Sequence, residues 1–130
     1  MNQNPMIVFV CEHGAAKSIL AAAYFNKLAP ESDLGITAIA RGTHPDAELS
    51  SRAVSGLSED GLIPTESIPT KLTREELETA QKVVRFCRLP DEYLQKVVVE
   101  YWNDIPPLGD DYERSRDAIV AHLKELINNL

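Results

Sequence analysis

The sequence predicts an α/β fold: a three-layer α/β/α sandwich with a central four-stranded parallel sheet and helices on both faces. Three observations lead there. Met6-Ile7-Val8-Phe9-Val10 is a continuous apolar run rich in β-branched residues, suited to a strand buried on both faces. Further apolar runs of strand length alternate with stretches of helix length along the chain. A length of 130 residues supplies one core, so residues 1–130 are read as a single domain.

The elements follow in order. After the first strand, Cys11-Glu12-His13-Gly14-Ala15-Ala16-Lys17-Ser18 forms a tight small-residue loop. An Ala-rich helix runs from it to Ala29 and is ended by Pro30, with Leu20, Tyr24 and Leu28 on one inward face. Gly35 to Ala40 is a second strand and Arg41-Gly42-Thr43-His44-Pro45 a loop. Ser50 or Ser51 caps a helix that reaches Glu59 and stops at Gly61. Ile63 to Thr70 is a loop with two prolines. Thr73 and Glu76 make a capping box for a helix ending near Gln81. Lys82 to Cys87 is a third strand and Lys96 to Val99 a fourth. Asn103 to Asp110 is a loop, with Asp110 and Asp111 placed to cap the last helix, whose stripe is Ile119, Leu123, Leu126 and Leu130. Strands joined by helices in this way make parallel, right-handed crossovers. Ligands of such sheets sit at the carboxyl ends of the strands, where the Cys11 loop falls.

Composition removes several functions. Hydrophobic residues at 44% and charged residues at 25% are ordinary for a globular chain, which argues against disorder. No apolar stretch approaches a membrane span, so no membrane partner is expected. Thirteen Lys and Arg against twenty Asp and Glu give a net charge of −7, which repels nucleic acid. An anionic ligand then needs a local site. Two cysteines without metal-ligand spacing make neither a disulfide scaffold nor a metal centre, and no metal or organic cofactor is called for. The polar start of the chain lacks a charged n-region, so a reducing cytoplasmic location is expected.

The Cys11 loop has a definite chemical use. Backbone N–H groups of such a loop can turn inward as an anion nest, and the helix start adds positive partial charge. The same field stabilises a thiolate at the loop's first position and makes it a nucleophile. Lys17 closes the loop with a cation for phosphoryl oxygens, and Ser18 can donate to the thiolate or cap the helix.

The segment from Phe9 to Ser18 resembles the phosphate-binding loop of low-molecular-weight protein tyrosine phosphatases, and more closely that of arsenate reductases of the same fold. The resemblance continues through Arg41-Gly42-Thr43-His44-Pro45, Ala53-Val54 with Asp60-Gly61-Leu62, Val83 to Cys87, Tyr101-Trp102, and Tyr112 to Ile119, nearly the whole chain. It implies the low-molecular-weight phosphatase fold, with Cys11 as nucleophile and residues 12–18 as the anion-binding loop: Glu12, His13, Gly14, Ala15, Ala16, Lys17 and Ser18. The implied ligand is a phosphate-like oxyanion or a phosphorylated substrate.

Three departures bear on function. The family's loop Arg is Lys17, a point charge in place of a planar fork. Loss of a charged hydrogen bond to the anion costs about 1.5–3 kcal/mol. The loop Asn of the family is Gly14, its Gly is Ala16 (strained if the backbone there is left-handed), and Glu12 brings negative charge beside the thiol. In the acid loop, proline stands where the family has its Asp, which leaves Asp104 as the nearest general acid. Finally, the resemblance matches Cys11 and Cys87 to the first two cysteines of a thioredoxin-coupled arsenate reductase relay, but the third position, near Leu94, has no cysteine. Cys87 is then either strand filler or a redox partner that shields Cys11 in a disulfide.

Other residues have plainer readings. His13 is a spacer facing solvent rather than a proton shuttle, His44 belongs to turn chemistry, and His122 lies on the helix surface. Tyr101 and Trp102 are pocket wall or core, and Glu75, Glu76 and Glu78 form a solvated face. The leading function is hydrolysis of phosphate monoesters through a phosphocysteine on Cys11. The alternatives are arsenate reduction with an external small-molecule thiol, and a catalytically impaired relative that binds an anion or a protein.

Overall fold

The structure is a computed structural model that describes residues 6–32, 35–89, 99–109 and 111–130. Strand β1 (Met6–Cys11) is followed by α1 (Lys17–Leu28), a 3-10 turn (Ala29–Ser32), β2 (Thr37–Gly42) and α2 (Ser51–Glu59). Then come α3 (Arg74–Thr79), β3 (Lys82–Arg85), β4 (Val99–Tyr101) and α4 (Tyr112–Asn128). The four strands are all parallel, in the order β2-β1-β3-β4, as the alternation of elements predicts.

β1 is central, and its side chains divide the molecule into layers. Ile7, Phe9 and Cys11 join a core with α1, α2 and α4, while Val8 and Val10 join a smaller one with Leu77 of α3 and Val83 of β3. Cys11 therefore belongs to the larger core and ends its strand there. Helix α1 packs on both β2 and α4 and is buried from Ser18 through Phe25. Its Ala21-Ala22-Ala23 run suits that position, because small residues let two neighbours approach closely.

Some boundaries differ from the sequence expectation. β2 begins at Thr37 and includes Arg41 and Gly42, because it pairs residue for residue with β1 up to Cys11↔Gly42. That register carries the segment expected to be loop alongside the nucleophile. β3 ends at Arg85, although Phe86 N–H still donates to the Val10 carbonyl at 2.8 Å. β4 begins at Val99 and continues to Tyr101; the part of the expected fourth strand before Val99, and Asp110, lie outside the described residues. Helix α3 stops at Thr79 because Ala80 turns extended.

The caps match their residue chemistry. Ser50 accepts from Ala53 N–H, Thr73 and Glu76 satisfy each other's backbone, and Asp111 accepts from Arg114 N–H. At the end of α2, Gly61 is left-handed (φ 78°), and Leu62 N–H returns to the Leu57 carbonyl at 2.8 Å. The outer edge of β2 is covered as well. Asn26 bonds both peptide groups of Ala38, Glu66 accepts from Ala40 N–H, and Gly42 exchanges bonds with Thr70 and Leu72.

Asp60 ties the helical layer together. It accepts from the Tyr24 and Tyr112 hydroxyls and from the Arg116 guanidinium. The Tyr24 hydrogen bond, with Arg116 beside it, holds the Asp60 carboxyl below its usual range. Burial and the facing carboxylate push the Tyr112 hydroxyl up to about 12. Tyr112 is 2% exposed and lies against Gly56, where an added Cβ would stand 2.2 Å from two ring carbons. Gly56→Ala is therefore expected to destabilise the fold by about 2 kcal/mol, more than the roughly 1 kcal/mol that alanine returns in helix propensity. The check is urea unfolding: the midpoint should fall with an unchanged denaturant slope.

Candidate functional site

The site lies where β1 ends and α1 begins. Cys11 is the last residue of β1, and its Sγ lies 2.9 Å from Oγ of Ser18, which is fully buried in the first turn of α1. The helix N-cap is Ala16, with no side-chain cap, so the Ser18 hydroxyl is committed to the thiol and not to capping.

The loop between them is held from outside. Carbonyls of Cys11, Glu12, His13 and Ala15 accept from the N–H groups of Thr43, His44, Asp46 and Ser50, at 3.3, 2.7, 3.1 and 2.9 Å. In a trans peptide the C=O and the following N–H point opposite ways. Carbonyls drawn towards residues 43–50 therefore turn the N–H groups of Glu12, His13, Gly14 and Ala16 the other way, as an anion nest needs.

Gly14 makes this path possible: its φ is +61° and it lies back to back with Gly42. Ala16 has φ −133°, so the left-handed strain considered from sequence does not arise.

A cleft of about 370 Å³ opens over the loop. Cys11, Ala15, Ala16 and Lys17 line one side, and Phe86, Cys87, Pro107 and Leu108 the other, with Glu12, His13, Asp46 and Ser50 also in the lining. Lys17 is half-buried and, among the described residues, has no carboxylate partner, which leaves its charge available to an anion. Glu12 stands at the rim of the cleft with a side chain 62% exposed, so water partly screens its charge. Cys87 shares the cleft with Cys11, and both are free thiols. Burial, then the nearby charges of Cys11 and Glu12, push the Cys87 thiol up to about 11, and it stays protonated at neutral pH.

Asp104 is not brought to the cleft. Both its oxygens face Nε2 of His122, at 2.8 and 3.0 Å, and the His122 ring stacks on Trp102 at 4.7 Å. Trp102 is core, 3% exposed among Phe9 and Phe86, so Asp104 is fixed against α4. Ile105 then buries and the Pro106 carbonyl accepts from Ser115, which turns Pro107 and Leu108 into the cleft wall. Asp104, the residue expected to serve as the acid, is therefore not among the described residues that line the cleft. Tyr101 and Trp102 are not part of the wall either.

Sequence reasoning missed Asp46, Phe86, Pro107 and Leu108. The His13 side chain is 56% exposed, and Nδ1 of its ring lies 3.2 Å from Oδ1 of Asp46. Asp46 stands in a loop far from the Cys11 segment in sequence, and the bonds between the two segments bring it there. Among the described residues no group of His, Cys, Asp and Glu is arranged to hold a metal ion, and no helix is long and apolar enough to cross a membrane.

A thiol at the floor of an anion nest, on a parallel sheet at the carboxyl end of its central strand, defines a cysteine-dependent oxyanion-handling domain. The chain belongs to the low molecular weight phosphotyrosine protein phosphatase family, whose model matches residues 6–129. Solved structures agree in fold. A serine-for-cysteine variant of the YwlE arginine phosphatase of Bacillus subtilis, with a phosphorylated active-site serine, is 21% identical with a TM-score of 0.80, covering 96% of this chain and 95% of that one. A low molecular weight protein tyrosine phosphatase from T. tengcongensis is 20% identical, with a TM-score of 0.80 and coverage of 97% and 99%. An arsenate reductase from Archaeoglobus fulgidus is 25% identical, with a TM-score of 0.75 and coverage of 94% and 98%. No curated protein matches the chain.

Proposed function

We propose that the chain hydrolyses phosphate monoesters through a phosphocysteine on Cys11. The observation that carries this reading is the 2.9 Å contact between Cys11 Sγ and buried Ser18 Oγ, at the floor of a loop whose N–H groups face inward. Ser18 donates to the thiolate and keeps it aimed at phosphorus. In the first step the S–P bond forms and the ester P–O bond breaks, and the leaving oxygen takes a proton. In the second, water attacks phosphorus, the S–P bond breaks, and phosphate leaves with the thiolate restored. The nest and Lys17 hold the equatorial oxygens throughout. No metal or organic cofactor is required for either step.

The test is hydrolysis of an aryl phosphate by the wild type and by Lys17→Arg. Arginine adds the missing fork of donors, so kcat/KM is expected to rise tenfold or more, with each decade worth about 1.4 kcal/mol. Turnover absent from both proteins would overturn the reading.

Cys87 favours a second reading. A protonated thiol on the same cleft as Cys11 suits arsenate reduction, in which arsenic(V) gains two electrons and thiols are oxidised to a disulfide. Arsenite release that depends on an added small-molecule thiol, without phosphate ester turnover, would select it.

A further inference from the structure

The proposed hydrolysis needs a proton for the leaving oxygen, and the loop expected to supply it presents Pro107 and Leu108 to the cleft instead. Resting on that hydrolase reading, we propose that His13 is the proton donor to the leaving group and that Asp46 is its positioning residue. Both line the cleft. Nδ1 of His13 faces two acceptors, Oδ1 of Asp46 at 3.2 Å and the His44 carbonyl at 3.4 Å. An ionised carboxylate and a carbonyl only accept, so Nδ1 carries hydrogen and Nε2 is the nitrogen that exchanges a proton.

The pair is also fixed through the backbone, where Asp46 N–H donates to the His13 carbonyl at 3.1 Å. The other charged group on the ring is Glu12, whose Oε2 lies 3.7 Å from Nε2, beyond hydrogen-bond length. Among the described residues Nε2 makes no hydrogen bond, and it stands at the exposed rim of the cleft within ion-pair range of Glu12, where it can meet a substrate oxygen.

The remaining titratable groups of the lining are less suited. Cys11 is the nucleophile, Lys17 is engaged by the oxyanion, and Cys87 stays a thiol at neutral pH. In the first step the P–O bond breaks as the Nε2 proton passes to the leaving oxygen. In the second, neutral His13 takes a proton from the attacking water, which restores the imidazolium.

The experiment is a series of phosphate monoesters from dinitrophenyl through nitrophenyl and phenyl to alkyl, with the wild type, His13→Gln, Asp46→Asn and Glu12→Gln. A dinitrophenolate leaves without help, whereas an alkoxide needs the proton. His13→Gln is expected to keep dinitrophenyl phosphate turnover within about threefold and to lose a hundredfold or more on phenyl phosphate. Asp46→Asn should change the series in the same direction by less. Inhibition by inorganic phosphate and the thermal midpoint should stay unchanged in His13→Gln. Equal loss on every ester, no loss, or a steepened series in Glu12→Gln alone would overturn the assignment. Absence of Cys11-dependent turnover even on dinitrophenyl phosphate would overturn the hydrolase reading itself.

Discussion

Cys11→Ser is expected to reduce aryl phosphate hydrolysis by at least three decades, about 4 kcal/mol of transition-state stabilisation, and to leave the fold intact. Cys11 is 9% exposed at the end of the central strand, and serine occupies nearly the same volume there. The substitution keeps a hydroxyl near Ser18 and leaves the nest and Lys17 in place. Only the thiolate is lost, and a serine hydroxyl with no base beside it is a poor nucleophile at neutral pH. Oxyanion binding should survive, so inorganic phosphate should protect both proteins from thermal unfolding alike. Residual turnover near the wild-type rate would place the reaction elsewhere in the molecule. Loss of phosphate binding together with activity would mean that the variant disturbs the loop rather than the chemistry.

Gly42→Ala should produce the second large effect, without touching any reacting atom. A Cβ there would lie 2.6 Å from Gly14 N and 2.9 Å from both Gly14 Cα and the His13 carbonyl carbon. All three are backbone atoms, so no side chain can swing aside. Nor can β2 retreat easily, since Gly42 is held by Thr70, Leu72 and its register with Cys11. The loop must shift instead, and a displacement of about 1 Å at a reacting centre costs on the order of 10²-fold in rate. Steady-state kinetics should show kcat/KM down by that factor, with stability lower by roughly 1–3 kcal/mol. Gly14 meets the same contact from the other side and has φ +61° as well, so Gly14→Ala should be no milder. Wild-type kinetics in Gly42→Ala would show that the loop tolerates displacement.

Local features of the fold were legible in the sequence because local chemistry decides them. The apolar run at Met6–Val10, the Thr73–Glu76 capping box, Asp111 at the last N-cap and Gly61 after α2 each have a short-range cause. The position of Cys11 at a strand end followed from the same run. Register was less legible. Nothing within Gly35–Gly42 says that Gly42, rather than Ala40, ends opposite Cys11; pairing with β1 decides it.

The placement of Asp104 outside the cleft lining has a tertiary cause. Asp104 is drawn to His122 because that ring stacks on buried Trp102, a contact between the chain after β4 and the middle of α4. The Asp46 contact of His13 was not legible for a related reason, since Asp46 arrives from the segment after β2.

The most direct measurement is acid quenching of the protein during turnover of an aryl phosphate, followed by mass spectrometry of its peptides. A phosphoryl group on Cys11, formed at the rate of an initial burst of phenol, is the predicted result. A burst with no phosphorylated peptide, or with the phosphoryl group on any residue other than Cys11, would contradict it.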